Sequence, residues 1–232
     1  MGIFTTGAGI EMLLRWGHFL AGVAWIGMLY YFNFVQMEYF KEADAGAKSD
    51  VIRKLVPKAL WWFRWGAVAT LLTGLGIFAL RGAGMSLDIY IGALIAIIMY
   101  SNVWLIIWPA QQIVVASAEQ VAQGGEALPE VGDALARAGL ASRTNALFSF
   151  PMLFFMGASA HYPHASGMLA VLITILVIVA IEYNAAYNAI KHLEVVKKLP
   201  AAGIMGPSAS IKGVVHCGLG LTVVLFLVLA YL

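Results

Sequence analysis

The run from Arg15 to Gln36, RWGHFLAGVAWIGMLYYFNFVQ, leaves this chain few choices of fold. It is long enough and apolar enough to cross a bilayer as one helix. Glu11 and Arg15 stand at its start, and no small-residue cleavage site follows a short apolar core, so it reads as a retained helix and not a signal peptide. The whole chain agrees: 62% of residues are hydrophobic and 11% charged, against about one-quarter charged in a soluble domain. The sequence therefore predicts an all-α integral membrane bundle in a single domain over 1–232, with the lipid bilayer as its first partner. The one cysteine, Cys217, excludes an internal disulfide, a Cys-x-x-Cys-His haem attachment site, and any Cys-rich zinc or iron–sulfur cluster within this chain. A net charge of +2 gives no reason to expect nucleic acid.

About six spans are expected, near Met12–Met37, Trp65–Leu80, Ile89–Trp108, Asn145–Ala160, Met168–Ile190 and Gly213–Leu232. The second and fourth are short and must borrow flanking residues. The loops separate by charge. Lys41, Lys48, Arg53, Lys54, Lys58 and Arg64 share one side with Arg137, Arg143, Lys191, Lys197, Lys198 and Lys212, while the other side has only Arg15 and Arg81. Basic loops favour the cytoplasmic side, so both termini are expected on the outer, periplasmic side of a bacterial inner membrane. An amphipathic connection near 110–143 joins the third and fourth spans. It reads as a helix from Ala110 to Ala122, a break at Gly124 and Gly125, and a second helix from Glu130 to Arg143.

Depth then sorts the histidines. His18 shares a helix face with Gly22 and Trp25, which offers a flat gap either to a planar cofactor such as haem b or to a close-packed neighbour. His18, His161 and His164 fall on the outer side, and His192 and His216 on the inner side. A haem iron between His18 and His161 fits this depth better than one shared by His18 and His216. A second group held by His216, with Gly220 one turn on, stays open. Solvated loop histidines are the alternative for His164 and His192.

Polar side chains gather towards the inner side: Asn33, Gln36, Asn102, Arg143, Asn145, Glu182, Asn184 and Asn188. A carboxylate within a span is costly and is a functional candidate by default. Glu182 is expected either to act as a general base or to pair with Arg143 or His216. Arginine offers a fixed donor fork to anionic oxygens, and amides read donor and acceptor edges. Arg143, Asn33, Gln36, Asn145 and Asn184 thus suit a flat, polar, anionic heterocycle, and equally a quinone, a haem propionate or plain helix-to-helix bonding. Trp61, Trp62, Trp65, Trp108, Tyr39 and Tyr90 read as interface anchors.

The run His18–Gln36, SNVWLIIWPAQQ at Ser101–Gln112, RTNALFSFPMLFFMGASAHYP at Arg143–Pro163 and, more weakly, HCGLG from His216 resemble the N-terminal membrane domain of the membrane-bound urate hydroxylase family. The first helix is also faintly similar to the membrane protoporphyrinogen oxidase and haem A synthase groups, in which helix histidines serve haem. The urate hydroxylase resemblance implies oxidation of urate to 5-hydroxyisourate, with electrons passing to a cytochrome c. In fused members that cytochrome follows the membrane domain, and this sequence has no attachment motif for one, so a separate periplasmic cytochrome is the expected acceptor. On that reading Arg143, Asn145, Asn33 and Gln36 hold the purine, Glu182 removes a proton, and electrons leave by way of a haem near His18 and His161.

Two other roles compete with this one. The chain could serve as an accessory or structural subunit of a larger membrane respiratory or oxidoreductase complex, with that complex or further copies of itself in a homo-oligomer as its protein partner. A small-molecule transporter is the third reading, weakened because no paired broken helices or inverted repeat is visible.

Overall fold

The protein is described here from a computed structural model covering residues 2–82 and 84–232. Among the described residues there are seven helices and no strands. They are α1 (Gly7–Glu42), α2 (Ala45–Lys54), α3 (Val56–Arg81), α4 (Leu87–Ala122), α5 (Val131–His161), α6 (Met168–Ile190) and α7 (Ile211–Tyr231). Short polar side chains start several of them. Thr6 accepts from Gly9 N–H, Asp44 from Ala47 N–H and Ser210 from Gly213 N–H, each meeting an otherwise orphaned donor. α3 stops at Gly82, whose φ of 63° suits glycine alone.

Five helices (α1, α3, α4, α6 and α7) are long and apolar enough to cross a membrane, and the molecule is a multi-pass membrane bundle. The remaining expected span, Asn145–Ala160, lies within α5, which is long but not apolar enough to join those five. The reason is its position. α5 buries fifteen of its 31 residues, whereas α6 buries four of 23. It packs against α1, α4, α6 and α7, so its neighbours stand between it and lipid and its polar residues need not be paid for with hydrophobic ones. The core runs along it through Ala141, Phe148, Met152 and Phe155, against Met99 and Ile95 of α4 and Leu225 of α7. α1 lies along α3 so closely that a Cβ at Gly66 would stand 3.0 Å from the backbone nitrogen of Trp25.

The chain runs up and down, so one end of the bundle carries both termini, Arg81, Asp88, His161 and Met168. The opposite end carries most of the lysines and arginines. At 36 residues, α1 and α4 are each about 54 Å long, well beyond a hydrocarbon core of about 30 Å. The excess of α4 is the expected connecting helix, Ala110–Ala122, here continuous with the span. With α2 and the start of α5 it builds a second small core of Ala110, Val114, Ala134 and Ala138 at the basic end.

Two helices widen into π-turns, at Tyr31–Gln36 in α1 and Val103–Ile107 in α4. The second precedes Pro109, which lacks an N–H and crowds the carbonyl four residues back, so a wider turn relieves it. In the first, Asn33 Nδ2 takes the carbonyl of Leu29 at 2.9 Å and competes with the helix ladder. Such bulges are often found at functional sites, and both lie at the depth of the polar residues.

Candidate functional site: a polar layer divided by α5

Asn102 stands just before the π-turn of α4. Its Nδ2 donates to Asn145 Oδ1 of α5 at 2.9 Å and to Glu182 Oε2 of α6 at 2.9 Å. Asn145 Nδ2 in turn donates to the carbonyl of Met99 at 2.9 Å. Three helices are tied by one chain of bonds, with Asn102 and Asn145 buried. Glu182 makes no ion pair with Arg143 or His216 among the described residues.

A second polar group faces α1. Asn33 Nδ2 donates to Ser142 Oγ at 2.8 Å as well as to Leu29, which uses both of its N–H groups and leaves Oδ1 as its free end. Two turns along α5, Ser149 Oγ gives its proton to the carbonyl of Ala146 and so accepts from the hydroxyl of Tyr30 at 2.8 Å. Gln36 lies one turn beyond Asn33, with Oε1 buried and unpartnered.

Arg143 neighbours Ser142 and is 4% exposed. Its Nη1 is buried without an acceptor, and no carboxylate lies within ion-pair reach among the described residues. Glu38, whose charge Arg143 feels from the next turn of α1, is already paired with Lys41 at 2.7 Å. A buried cation without a counter-ion is costly. The guanidinium of Arg143 thus keeps a buried N–H that no acceptor among the described residues meets.

Arg143 and Glu182 do not share a cavity. Arg143 and Asn145 are two residues apart on α5, so they project about 200° from one another, and Asn145 is on the side bonded to Asn102 and Glu182. The expected single cavity lined by Arg143, Asn145 and Glu182 is therefore corrected: Arg143 projects from the side of α5 away from Asn145 and Glu182. Asn184 belongs to neither polar group: its amide holds the 199–205 loop, accepting from Gly203 and Ile204 N–H and donating to the carbonyl of Ile204.

The histidines take separate surroundings. The Thr73 hydroxyl gives its proton to the carbonyls of Ala69 and Thr70, so it accepts from His18 Nδ1 at 3.1 Å. The His18 ring packs against α3, where a Cβ at Gly74 would stand 3.2 Å from Cε1. The face shared with Trp25 is thus the α1–α3 packing seam, while Gly22 faces open space. His161 is exposed at the end of α5, beside a groove that contains no residue of α1. As placed, His18 and His161 do not face a common slot, and the residues do not fit a haem held between them. His216 and His192 are exposed. Among the described residues no cluster of three metal-ligating side chains occurs.

His164 departs most from its expected loop setting. Its side chain is 5% exposed, and Asp88, wholly buried, accepts from its backbone N–H at 2.7 Å and from Nδ1 at 2.6 Å. Asp88 drew no attention in the sequence because it opens a span, where an acidic first-turn residue is routine. Arg64 is another omission. It counted as a loop charge, but its guanidinium stacks 3.3 Å over the Trp108 ring and 5.5 Å from that of Trp104.

A multi-pass helical bundle with a buried polar layer defines the class: an all-α membrane protein. The chain belongs to the urate oxidase N-terminal family, whose model matches residues 77–211, more than half of the sequence. The matched region holds Asn102, Arg143, Asn145, His161, His164 and Glu182, and leaves His18, Asn33, Gln36 and His216 outside it. No curated protein and no solved structure matches the chain.

Proposed function

We propose that this protein binds urate, or a purine anion of the same shape, in the group formed by Arg143, Gln36 and Asn33, and oxidises it to 5-hydroxyisourate. The observation that carries this reading is the buried guanidinium of Arg143, whose Nη1 meets no acceptor among the described residues, in a chain whose family is that of urate oxidase N-terminal domains. Urate carries what such a site lacks. Its anionic oxygens suit the donor fork of arginine, and its ring N–H groups suit Gln36 Oε1 and Asn33 Oδ1. In the reaction, one ring carbon gains an oxygen from water, and the substrate gives up two electrons and two protons. The residues named here bind and orient the ring and neutralise its charge. A separate cytochrome c is the acceptor we assign to the electrons. Glu182 lies across α5 from this group and is not assigned to the substrate.

Basic loops set the orientation in this proposal: the basic end is cytoplasmic, the termini are periplasmic, and the membrane is a bacterial inner membrane. The test is equilibrium binding of urate to the purified full chain, followed by urate-dependent reduction of added cytochrome c. Binding that is lost in Arg143→Gln supports the reading. A folded protein that binds no urate, or an Arg143→Gln variant that binds it equally well, overturns it.

A further inference from the structure

At the end of the bundle that carries the termini, far along α5 from Arg143, lies a second polar pair that the purine reading leaves unused. Asp88 is wholly buried and takes two hydrogen bonds from His164, which fixes the imidazole with Nδ1 spent and Nε2 turned away. That Nε2 is itself buried and has no partner among the described residues. A buried polar atom of this kind costs free energy unless something bonds to it.

Next to it is a groove of about 530 Å³ between α5 and α7, lined by Leu153, Phe154, Gly157, His161, Tyr162 and Phe226. Its size falls within the range of small-molecule sites. The groove and the histidine share a wall. Tyr162 and Phe226 line the groove and pack edge-on to the His164 ring, at 5.5 and 5.1 Å between centroids. Tyr162 is 64% exposed and follows the end of α5, so it is the freer of the two.

The lining narrows the occupant. No lysine, arginine or carboxylate is among the lining residues, and the nearby cations at this end, Arg15 and Arg81, are both taken by Glu11 at 2.8 Å. A phosphate headgroup would find no charge there. A neutral, flat, lipid-soluble ring bearing hydroxyl groups would find an apolar slot, the open backbone face of Gly157, where a Cβ would meet nothing within 4 Å, and, behind Tyr162, an imidazole whose Nδ1–H is given to Asp88 and whose Nε2 accepts from a hydroxyl. We infer that the groove binds the ring of a membrane quinol, with Tyr162 swung aside and one ring hydroxyl donating to His164 Nε2. Asp88 is the positioning residue for that imidazole. This binding does not depend on the purine being the substrate.

The test uses the full chain in phospholipid nanodiscs under argon and an azido-benzoquinol photolabel, with decylubiquinol as competitor. Label is expected on the peptide containing 153–164 and at Phe226, and decylubiquinol should remove it. His164→Leu should weaken labelling. Because that change also releases Asp88, Gly157→Leu is the companion: it fills the groove from an open position and should cut labelling about tenfold or more with unchanged thermal melting. Phospholipid is in large excess in the disc, so displaceable label in the groove is not an acyl-chain site. Label spread evenly over the lipid-facing helices, or groove label that Gly157→Leu leaves intact, overturns the inference.

Discussion

Asn102 donates to Glu182 at 2.9 Å across 80 residues of sequence, and this bond joins α4 to α6 through a side chain that α5 also uses. Both N–H groups of Asn102 are spent, so the carboxylate is needed as an acceptor whether or not it does chemistry. Glu182→Gln keeps an acceptor oxygen and should melt close to the parent. Glu182→Leu orphans a buried donor and should cost about 1–3 kcal/mol. Because Arg143 projects from the other side of α5, Glu182→Gln should leave urate affinity within about twofold, as changes at separated sites do. Melting curves and urate titrations of the two variants check both statements. A large loss of urate binding in Glu182→Gln would mean that the two polar groups communicate.

Arg143 gives a prediction of opposite signs. Its buried charge has no counter-ion among the described residues. Replacing it with an apolar side chain of similar length removes a desolvated charge, and such replacements are often neutral or stabilising by about 1–4 kcal/mol. Arg143→Met should therefore melt at or above the parent temperature without ligand, and should lose the stabilisation that urate gives the parent by binding the native state. A thermal-shift series with and without urate reads both. If Arg143→Met simply unfolds, the guanidinium is a structural tie and the anion site is lost with it.

The sequence made the bundle legible because its signals are local. Apolar runs of span length, basic loops and short capping side chains each act within a few residues. It was less informative about the site, where pairing across helices decides. Arg143, Asn145 and Glu182 share a depth, and depth can be read from span boundaries. Which side of α5 each faces depends on how α5 is rotated in the bundle, and α5 is buried on so many sides that no apolar stripe reveals that rotation. His164 and Asp88 are 76 residues apart, in a loop and a first turn where either residue is unremarkable alone. The His18–Gly22–Trp25 face was visible as a seam, but only the position of Thr73 and Gly74 shows that α3 fills part of it.

Gly218 marks where α7 meets α5. A Cβ there would stand 2.4 Å from Cδ2 of Phe150 and 3.0 Å from the carbonyl oxygen of Leu147. The ring can turn, but the backbone oxygen cannot, so α7 must move outward. Gly218→Ala should destabilise by about 1–3 kcal/mol, the usual cost of overpacking, and Gly218→Val by more. Gly220→Ala is the control, since its Cβ would meet nothing within 4 Å, and it should melt like the parent. Equal melting of Gly218→Ala and Gly220→Ala would show that α7 is not seated against α5 as described.

Orientation can be tested without any ligand. The basic end gathers α2 with the second core around Val114 and Ala138, and it holds Lys41, Lys48, Lys58, Arg137, Lys191 and Lys198. The opposite end has Arg15 and Arg81, which share the one carboxylate of Glu11. Positive charge resists transfer across the inner membrane, so the basic end should remain cytoplasmic. An alkaline phosphatase fused after Leu232 should be active and a fluorescent protein that folds only in the cytoplasm should be dark, with the reverse result for fusions in the 123–130 loop. Adding basic charge at the terminal end, as in Glu11→Lys, removes the shared carboxylate and leaves three cations where there were two cations and one anion. It should raise the fraction of inverted molecules, read as phosphatase activity appearing at the 123–130 fusion. A Leu232 fusion active only in the cytoplasm would reverse the orientation and put the Arg143 group on the periplasmic half of the bundle.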